Sequence, residues 1–260
     1  MDTGVQVKLD VTETGSGRAL VLLHSLLSDR GAFDRMAPRL ARERRVLLVD
    51  LPGFGKSAPA GPLLENFADR IAENFARLGL NPADTDVLGN GFGGFVAVAL
   101  AVRHGRKFDK LVLVDTGAAI PDSGKPAFHK MAALVESGGM AAVLDAALAR
   151  MFPPDFLANH PDIAEERRAA LRGMDPQRFA AACRALAALD LRAEIKAIRN
   201  PTLVVVGLKD TATPPALSHE LAATIPGAQV IELPHCGHSP HIQDPDGFWQ
   251  AVKPFLGLKG

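Results

Sequence analysis

The feature that most limits the folds open to this chain is a series of short apolar runs separated by segments of helical period. Residues 19–23, 46–49, 86–89, 111–114, 202–206 and 229–233 are each four or five residues long, and most are almost wholly apolar. Runs that short suit strands, and an apolar run without polar alternation suits a strand buried on both faces of a mostly parallel sheet. The intervening segments repeat differently. In residues 63–78, Phe67, Ile71, Phe75 and Leu78 fall on one helical stripe, which is the pattern of a helix lying on a core. Residues 95–103, 215–225 and 246–256 are predicted as further helices. Alternating strands and helices imply an α/β fold, with a parallel sheet covered by helices on both faces.

Two stretches break the alternation. Residues 5–14 alternate as an edge hairpin, with a turn at Gly15-Ser16-Gly17. From about residue 117 to residue 195 there are helical segments, predicted at 131–135, 141–151, 163–171 and 176–189, but no strand; Pro153-Pro154 and His160-Pro161 punctuate them. This divides the chain into an α/β core of residues 1–116 and 197–260 and an inserted helical cap, or lid, of residues 117–196. Ligands in such sheets bind at the carboxyl ends of the strands, and a lid inserted there roofs the site. Phe128, Phe152 and Phe156, with Met131, Met140, Met151 and Met174, give that roof an apolar lining.

Composition narrows the class of ligand. In 260 residues, 29 Lys and Arg balance 29 Asp and Glu, so electrostatics gives no reason to expect nucleic acid or an anionic membrane as partner. No apolar run reaches the roughly 20 residues needed to cross a bilayer, and the first ten residues do not read as a signal peptide. The two cysteines, Cys183 and Cys236, form neither a disulfide framework nor a metal-ligand spacing, and a reducing, cytoplasmic setting is expected. The expected partner is a small molecule; the oligomeric state is not readable.

Four strand ends carry residues that a core does not need: Leu22-Leu23-His24-Ser25-Leu26, Gly89-Asn90-Gly91-Phe92-Gly93-Gly94, Gly207-Leu208-Lys209-Asp210 and His235-Cys236-Gly237-His238. In this order, and with the turn Asp50-Leu51-Pro52-Gly53-Phe54-Gly55-Lys56-Ser57, they resemble the α/β-hydrolase superfamily over essentially the whole chain. The family carries G-x-S-x-G between a strand and a helix, then an acid, then a histidine. Asp210 and His238 match the acid and the histidine. Residues 181–186, 190–192 and 200–204 make the chain most similar, within the superfamily, to the 3-oxoadipate enol-lactonase group. The resemblance implies backbone N–H donors for an oxyanion at Leu26 and Phe92, and a substrate pocket around His24, Ser25, Asn90, Phe128, Met131 and Phe152.

The departure from the pattern is Gly91, which stands where the nucleophilic serine belongs and has no side chain to attack with. A histidine held by a carboxylate remains a base for water or an acidic proton. The first expectation is therefore hydrolysis of a small ester or lactone by water that His238 and Asp210 activate, the room at Gly91 holding that water or part of the substrate. The alternatives are lyase, isomerase or cofactor-free oxygenase chemistry on the same scaffold, a catalytically silent ligand-binding protein, and an engineered serine-to-glycine variant of an active hydrolase. Ser25 reads equally as a hydrogen-bond donor to substrate and as a turn cap, and Cys236 as a small buried hydrophobe. Neither a nucleotide or flavin motif nor a convincing metal-ligand set is present, and no cofactor is expected.

Overall fold

In the computed structural model, which describes residues 8–260, the apolar runs are the strands of one seven-stranded sheet. The elements in chain order are β1 (Val11–Thr14), β2 (Ala19–Leu23), α1 (Ala37–Leu40), β3 (Arg45–Val49), α2 (Leu64–Arg77), β4 (Thr85–Asn90), α3 (Phe92–His104) and β5 (Leu111–Val114). Then come the helices α4 (Lys125–Gly138), α5 (Leu144–Met151), α6 (Pro154–Asn159), α7 (Pro161–Arg172) and α8 (Pro176–Ala188). The chain returns to the sheet with β6 (Thr202–Gly207), α9 (Pro215–Thr224), β7 (Gln229–Leu233), α10 (Pro240–Gln243) and α11 (Pro245–Leu256).

The strand order is β1-β3-β2-β4-β5-β6-β7. All neighbours are parallel except β1, which runs antiparallel to β3 with Val11 opposite Val49. This corrects the expected hairpin. The turn at residues 15–17 does not fold β1 onto β2, because β2 already pairs with β3 on one side and β4 on the other. Residues 5–7 of that expected hairpin lie outside the described residues.

Every residue of β2, β4, β5 and β6 is buried, as uninterrupted apolar runs require when both faces of a sheet are covered. The two-residue period of a strand sorts their side chains into two cores. Val21, Leu23, Val87, Leu111, Leu113, Val204 and Val206 face α2, α3 and the helical insertion. Leu20, Leu22, Leu88, Val112, Val114, Leu203 and Val205 face Phe33, Met36, Phe248, Trp249 and Val252. From Phe92 to Ala101 α3 is buried throughout: the sheet lies on one side, and α2 packs across with Phe67, Ile71 and Phe75 buried.

The five helices α4–α8 enter between β5 and β6. Their neck is closed by an antiparallel bridge between Ala119 and Asp190 and by the Leu191 N–H donating to the Ala118 carbonyl at 2.9 Å. Above it, α4 and α8 pack on each other. Several boundaries differ from the sequence expectation for one reason. Prolines at 126, 154, 161, 176 and 240 occupy the first turns of helices, where a missing N–H costs nothing and the fixed φ helps. They start helices where the sequence suggested breaks, so α6 and α10 appear and α4 begins six residues before its predicted start at Met131.

Strand direction reverses its order of addition at β2: the chain goes outward to β3, then crosses back to β4. The crevice between β2 and β4 at their carboxyl ends is therefore the switch point where such sheets take ligands, and the loops following both strands border it.

Candidate active site

The turn from β4 into α3 determines the local geometry. Gly91 has φ 53° and ψ −118°, a conformation that costs any residue with a Cβ. The turn is sharp because Gly93 lies against the backbone of the neighbouring strand end, its N–H donating to the His24 carbonyl at 2.9 Å. A Cβ at Gly93 would collide with the Leu23 and His24 carbonyls. The β2 loop and the β4–α3 turn are thus locked together by backbone contact.

From the next strand ends, the loops after β6 and β7 bring in Asp210 and His238, both almost completely buried. His238 Nδ1 lies 2.8 Å from Asp210 Oδ2. The carboxylate accepts from Nδ1–H and so leaves the lone pair on Nε2. Asp210 is held from behind: Oδ1 accepts from the Ala212 and Thr213 N–H groups at 2.7 and 3.1 Å, and the Thr213 hydroxyl lies 2.6 Å from Oδ2. The His238 loop is tied to the sheet by Asn90, whose side-chain N–H donates to the His238 carbonyl at 2.9 Å.

On the other side of the ring, Ser25 Oγ stands 2.9 Å from His238 Nε2. With Nδ1 committed to Asp210, the hydroxyl is the donor and Nε2 the acceptor. Ser25 is itself placed by His24, whose buried ring donates from Nδ1 to the Ser25 carbonyl at 2.9 Å and accepts the Leu51 N–H at Nε2. Burial, foremost among its surroundings, pushes the His24 pKa down, consistent with a neutral ring fixed in one tautomer by two backbone bonds.

A small cavity opens at this point. Ser25, Leu26, Phe92, Thr213 and His238 form its floor and one wall; Phe128, Met131, Arg150 and Leu186 of α4, α5 and α8 close it from the helical side. Its volume is about 20 Å³, room for a single water. Leu26 and Phe92 both line it, and among the described residues neither backbone N–H donates to a protein acceptor. Phe92 is the first residue of α3, where open amides and the helix dipole favour negative charge.

The structure does not bring every pocket candidate to this cavity. His24 turns away toward Leu51 and packs edge-on against Phe54, Asn90 is spent on backbone carbonyls, and Phe152 stacks on Phe156 beside a separate cleft of about 280 Å³. Nor is there room at Gly91 for the expected water. A Cβ there would come within 2.5 Å of Ser25 Oγ and closer still to His238 Nε2, so these two groups already fill the space. A larger groove of about 640 Å³, lined by residues 101–109 and 197–201 in part, lies at the amino edge of the sheet, away from Asp210 and His238.

Sequence reasoning passed over Thr213, Arg150 and Asp115. Asp115, at φ 48° just after β5, accepts the Gly207 N–H at 2.6 Å. Burial, reinforced by the neighbouring Asp210, pushes its carboxyl well above the usual range. Its position at the end of the strand beside β6 was the available signal. Burial pushes the Cys236 thiol up to about 12, which leaves no thiolate to attack with. No group of three His, Cys, Asp or Glu among the described residues could hold a metal ion, and no described helix is long and apolar enough to cross a membrane.

A strand-to-helix turn at the switch point, with an acid and a histidine from later strand ends, matches one known family: residues 20–251 fit the alpha/beta hydrolase family. The chain belongs to the alpha/beta hydrolase family. Among solved members, it superposes on the enol-lactonase of Burkholderia xenovorans LB400 with a TM-score of 0.90 and 31% identity, covering 96% of each chain. A thermophilic esterase from Thermogutta terrifontis gives a TM-score of 0.88 at 30% identity, over 96% of this chain and 93% of that one. The pimeloyl-[acyl-carrier protein] methyl ester esterase of Chromobacterium violaceum is 32% identical over 96% of this chain and 98% of its own. This alpha/beta hydrolase is therefore related to esterases and an enol-lactonase along nearly its whole length, and carries a buried His–Asp pair.

Proposed function

We propose that this protein hydrolyses a small organic ester or lactone, with His238, oriented by Asp210, as the general base and the Leu26 and Phe92 amides as the oxyanion site. The observation that carries it is the direction in which His238 can act: Nδ1 is bound by Asp210, and Nε2, which accepts the Ser25 hydroxyl, faces a cavity bordered by two open amides. As a carbonyl becomes tetrahedral, its oxygen gains charge, and preorganised N–H groups stabilise that charge by typically a few kcal/mol. The ion that forms on His238 is stabilised by Asp210 at 2.8 Å.

The substrate class draws on relatives named for a methyl ester and an enol-lactone and on a roof of Phe128, Met131 and Leu186 that suits an apolar acyl or alcohol group. Residues 117–196 act as the cap over this site, and Gly91 occupies the family's nucleophile position. The test is turnover of a panel of short-chain esters and enol-lactones by the native protein and by His238→Ala. Hydrolysis by the native protein that falls a thousandfold or more in the variant is expected. Equal hydrolysis by both proteins overturns His238 as the base, and a native protein that binds the panel without turnover supports the silent ligand-binding alternative.

A further inference from the structure

Resting on that hydrolytic function, we infer that Ser25 is the nucleophile, supplied from the loop after β2 instead of from the turn after β4. Three features of the geometry converge on its hydroxyl. Ser25 Oγ is 2.9 Å from His238 Nε2, and this is the hydroxyl's sole hydrogen bond among the described residues. A turn cap would bond to backbone, and Ser25 Oγ does not. The hydroxyl also stands 2.5 Å from where a Gly91 Cβ would be. An oxygen on a side chain at residue 91 and the oxygen on Ser25 would thus compete for nearly the same space beside the same imidazole nitrogen. The absence of a side chain at residue 91 is what makes room for the Ser25 hydroxyl.

The surroundings of Ser25 are those a nucleophile needs. It is 2% exposed yet lines the cavity, so it meets a bound substrate away from bulk water. Its backbone is fixed by the His24 ring at its carbonyl. The residue that follows it, Leu26, carries one open amide, and the other belongs to Phe92 across the crevice. A serine followed directly by an oxyanion donor is the relation a strand–helix elbow provides, here recreated on the facing loop.

The chemistry balances with water as the only co-reactant. Ser25 Oγ attacks the ester carbon while its proton passes to His238 Nε2, and the carbonyl oxygen becomes an oxyanion held by the two amides. The carbon–oxygen bond to the leaving alcohol breaks, and that oxygen takes the proton from Nε2, leaving an acyl ester on Ser25. Water then gives a proton to Nε2 and attacks the acyl carbon. The bond to Oγ breaks, the carboxylic acid departs, and the serine regains its proton. For a lactone the freed alcohol remains part of the acyl chain throughout, and the second step releases one molecule that carries both the acid and that oxygen.

The experiment combines covalent trapping with turnover, on the full-length protein. A fluorophosphonate ester, which phosphonylates activated serines with loss of fluoride, is incubated with the native protein, Ser25→Gly, His238→Ala and the double variant Ser25→Gly/Gly91→Ser. Adducts are located by peptide fragmentation, which separates Ser25 from Ser28, and circular dichroism confirms folding. The expected result is one adduct on Ser25 in the native protein, none in Ser25→Gly, and label on the residue-91 serine of the double variant. Ester turnover should fall a thousandfold or more in Ser25→Gly and recover in part in the double variant. If Ser25→Gly retains turnover within about threefold while His238→Ala loses it, water is the attacking group: Ser25 is overturned and the hydrolytic function stands. An adduct on Ser25 with no turnover of any ester keeps the nucleophile and overturns the hydrolytic function. Neither adduct nor turnover in the native protein overturns both.

Discussion

Replacing His241 by leucine should make the protein less sensitive to acid, by an amount that follows from where the ring lies. His241 is buried between Phe33, stacked at 4.7 Å between centroids, and Phe248 at 5.8 Å. Neither ring nitrogen has a hydrogen-bond partner among the described residues. Burial first, then the nearby His238 and Arg167, pushes its pKa from 6.5 down to about 3. The unfolded chain therefore takes up a proton as pH drops below 6.5, whereas the folded protein does not until about pH 3. A depressed pKa means that this stability is present above pH 6.5 and is lost as pH falls toward 3. Each pH unit in that window costs about 1.4 kcal/mol, so going from pH 7 to pH 5 removes about 2 kcal/mol through His241. In a chain of this size that corresponds to a fall in Tm of about 4–8 °C. His241→Leu keeps an apolar filler between the two phenyl rings and has nothing to protonate. The assay is urea unfolding of both proteins at pH 7 and pH 5. The native protein should lose about 2 kcal/mol more than the variant across that interval; His24, which burial also depresses, contributes equally to both. Parallel losses would refute the assignment of a neutral, unpartnered imidazole at this site.

Two further outcomes follow from the site. Gly91→Ser should destabilise the fold by about 1–3 kcal/mol through backbone strain alone, and by more while the Ser25 hydroxyl is present. Urea midpoints for Gly91→Ser, Ser25→Gly and the double variant should therefore show the two changes partly compensating; strictly additive effects would mean that the two side chains do not share space. Arg150 lines the cavity roof, its guanidinium 5.8 Å from the Phe128 ring. Arg150→Met should lower kcat/KM for esters bearing a carboxylate by about tenfold while leaving neutral esters within about twofold, the scale of one exposed-to-buried ion pair; equal losses for both would place Arg150 outside substrate recognition.

Much of this arrangement was legible in the sequence because central strands are written in an unambiguous form. Residues 19–23 and 202–206 cannot be amphipathic in any period, and that alone places them inside a covered sheet. The strand ends then bring His238, Asp210, Ser25, Leu26 and Phe92 to one edge. The less legible parts depend on partners distant in the chain. The antiparallel pairing of β1 with β3 follows from both edges of β2 being taken, which no local pattern records. Prolines such as Pro154 and Pro240 read as breaks until a first helical turn is seen around them. His24 and Asn90 stand at the correct strand ends, but their side chains are spent on backbone groups of neighbouring loops and strands. The Ser25–His238 contact spans 213 residues of sequence, and only the locked backbones of the two loops reveal it.

The roof formed by Phe128, Met131, Arg150 and Leu186 leaves a cavity that admits one water and no ester. If an ester is to occupy this cavity, the helical roof must part from the sheet, and the form with the roof seated is then one of two in equilibrium. Observed affinity then equals the affinity of the parted form scaled by its population, so a parted fraction of roughly one in a hundred would weaken binding a hundredfold. Substitutions that pack α4 and α8 more tightly would raise the melting temperature and slow capture together. The roof's grip on the sheet would then act on a rate constant as well as on the fold.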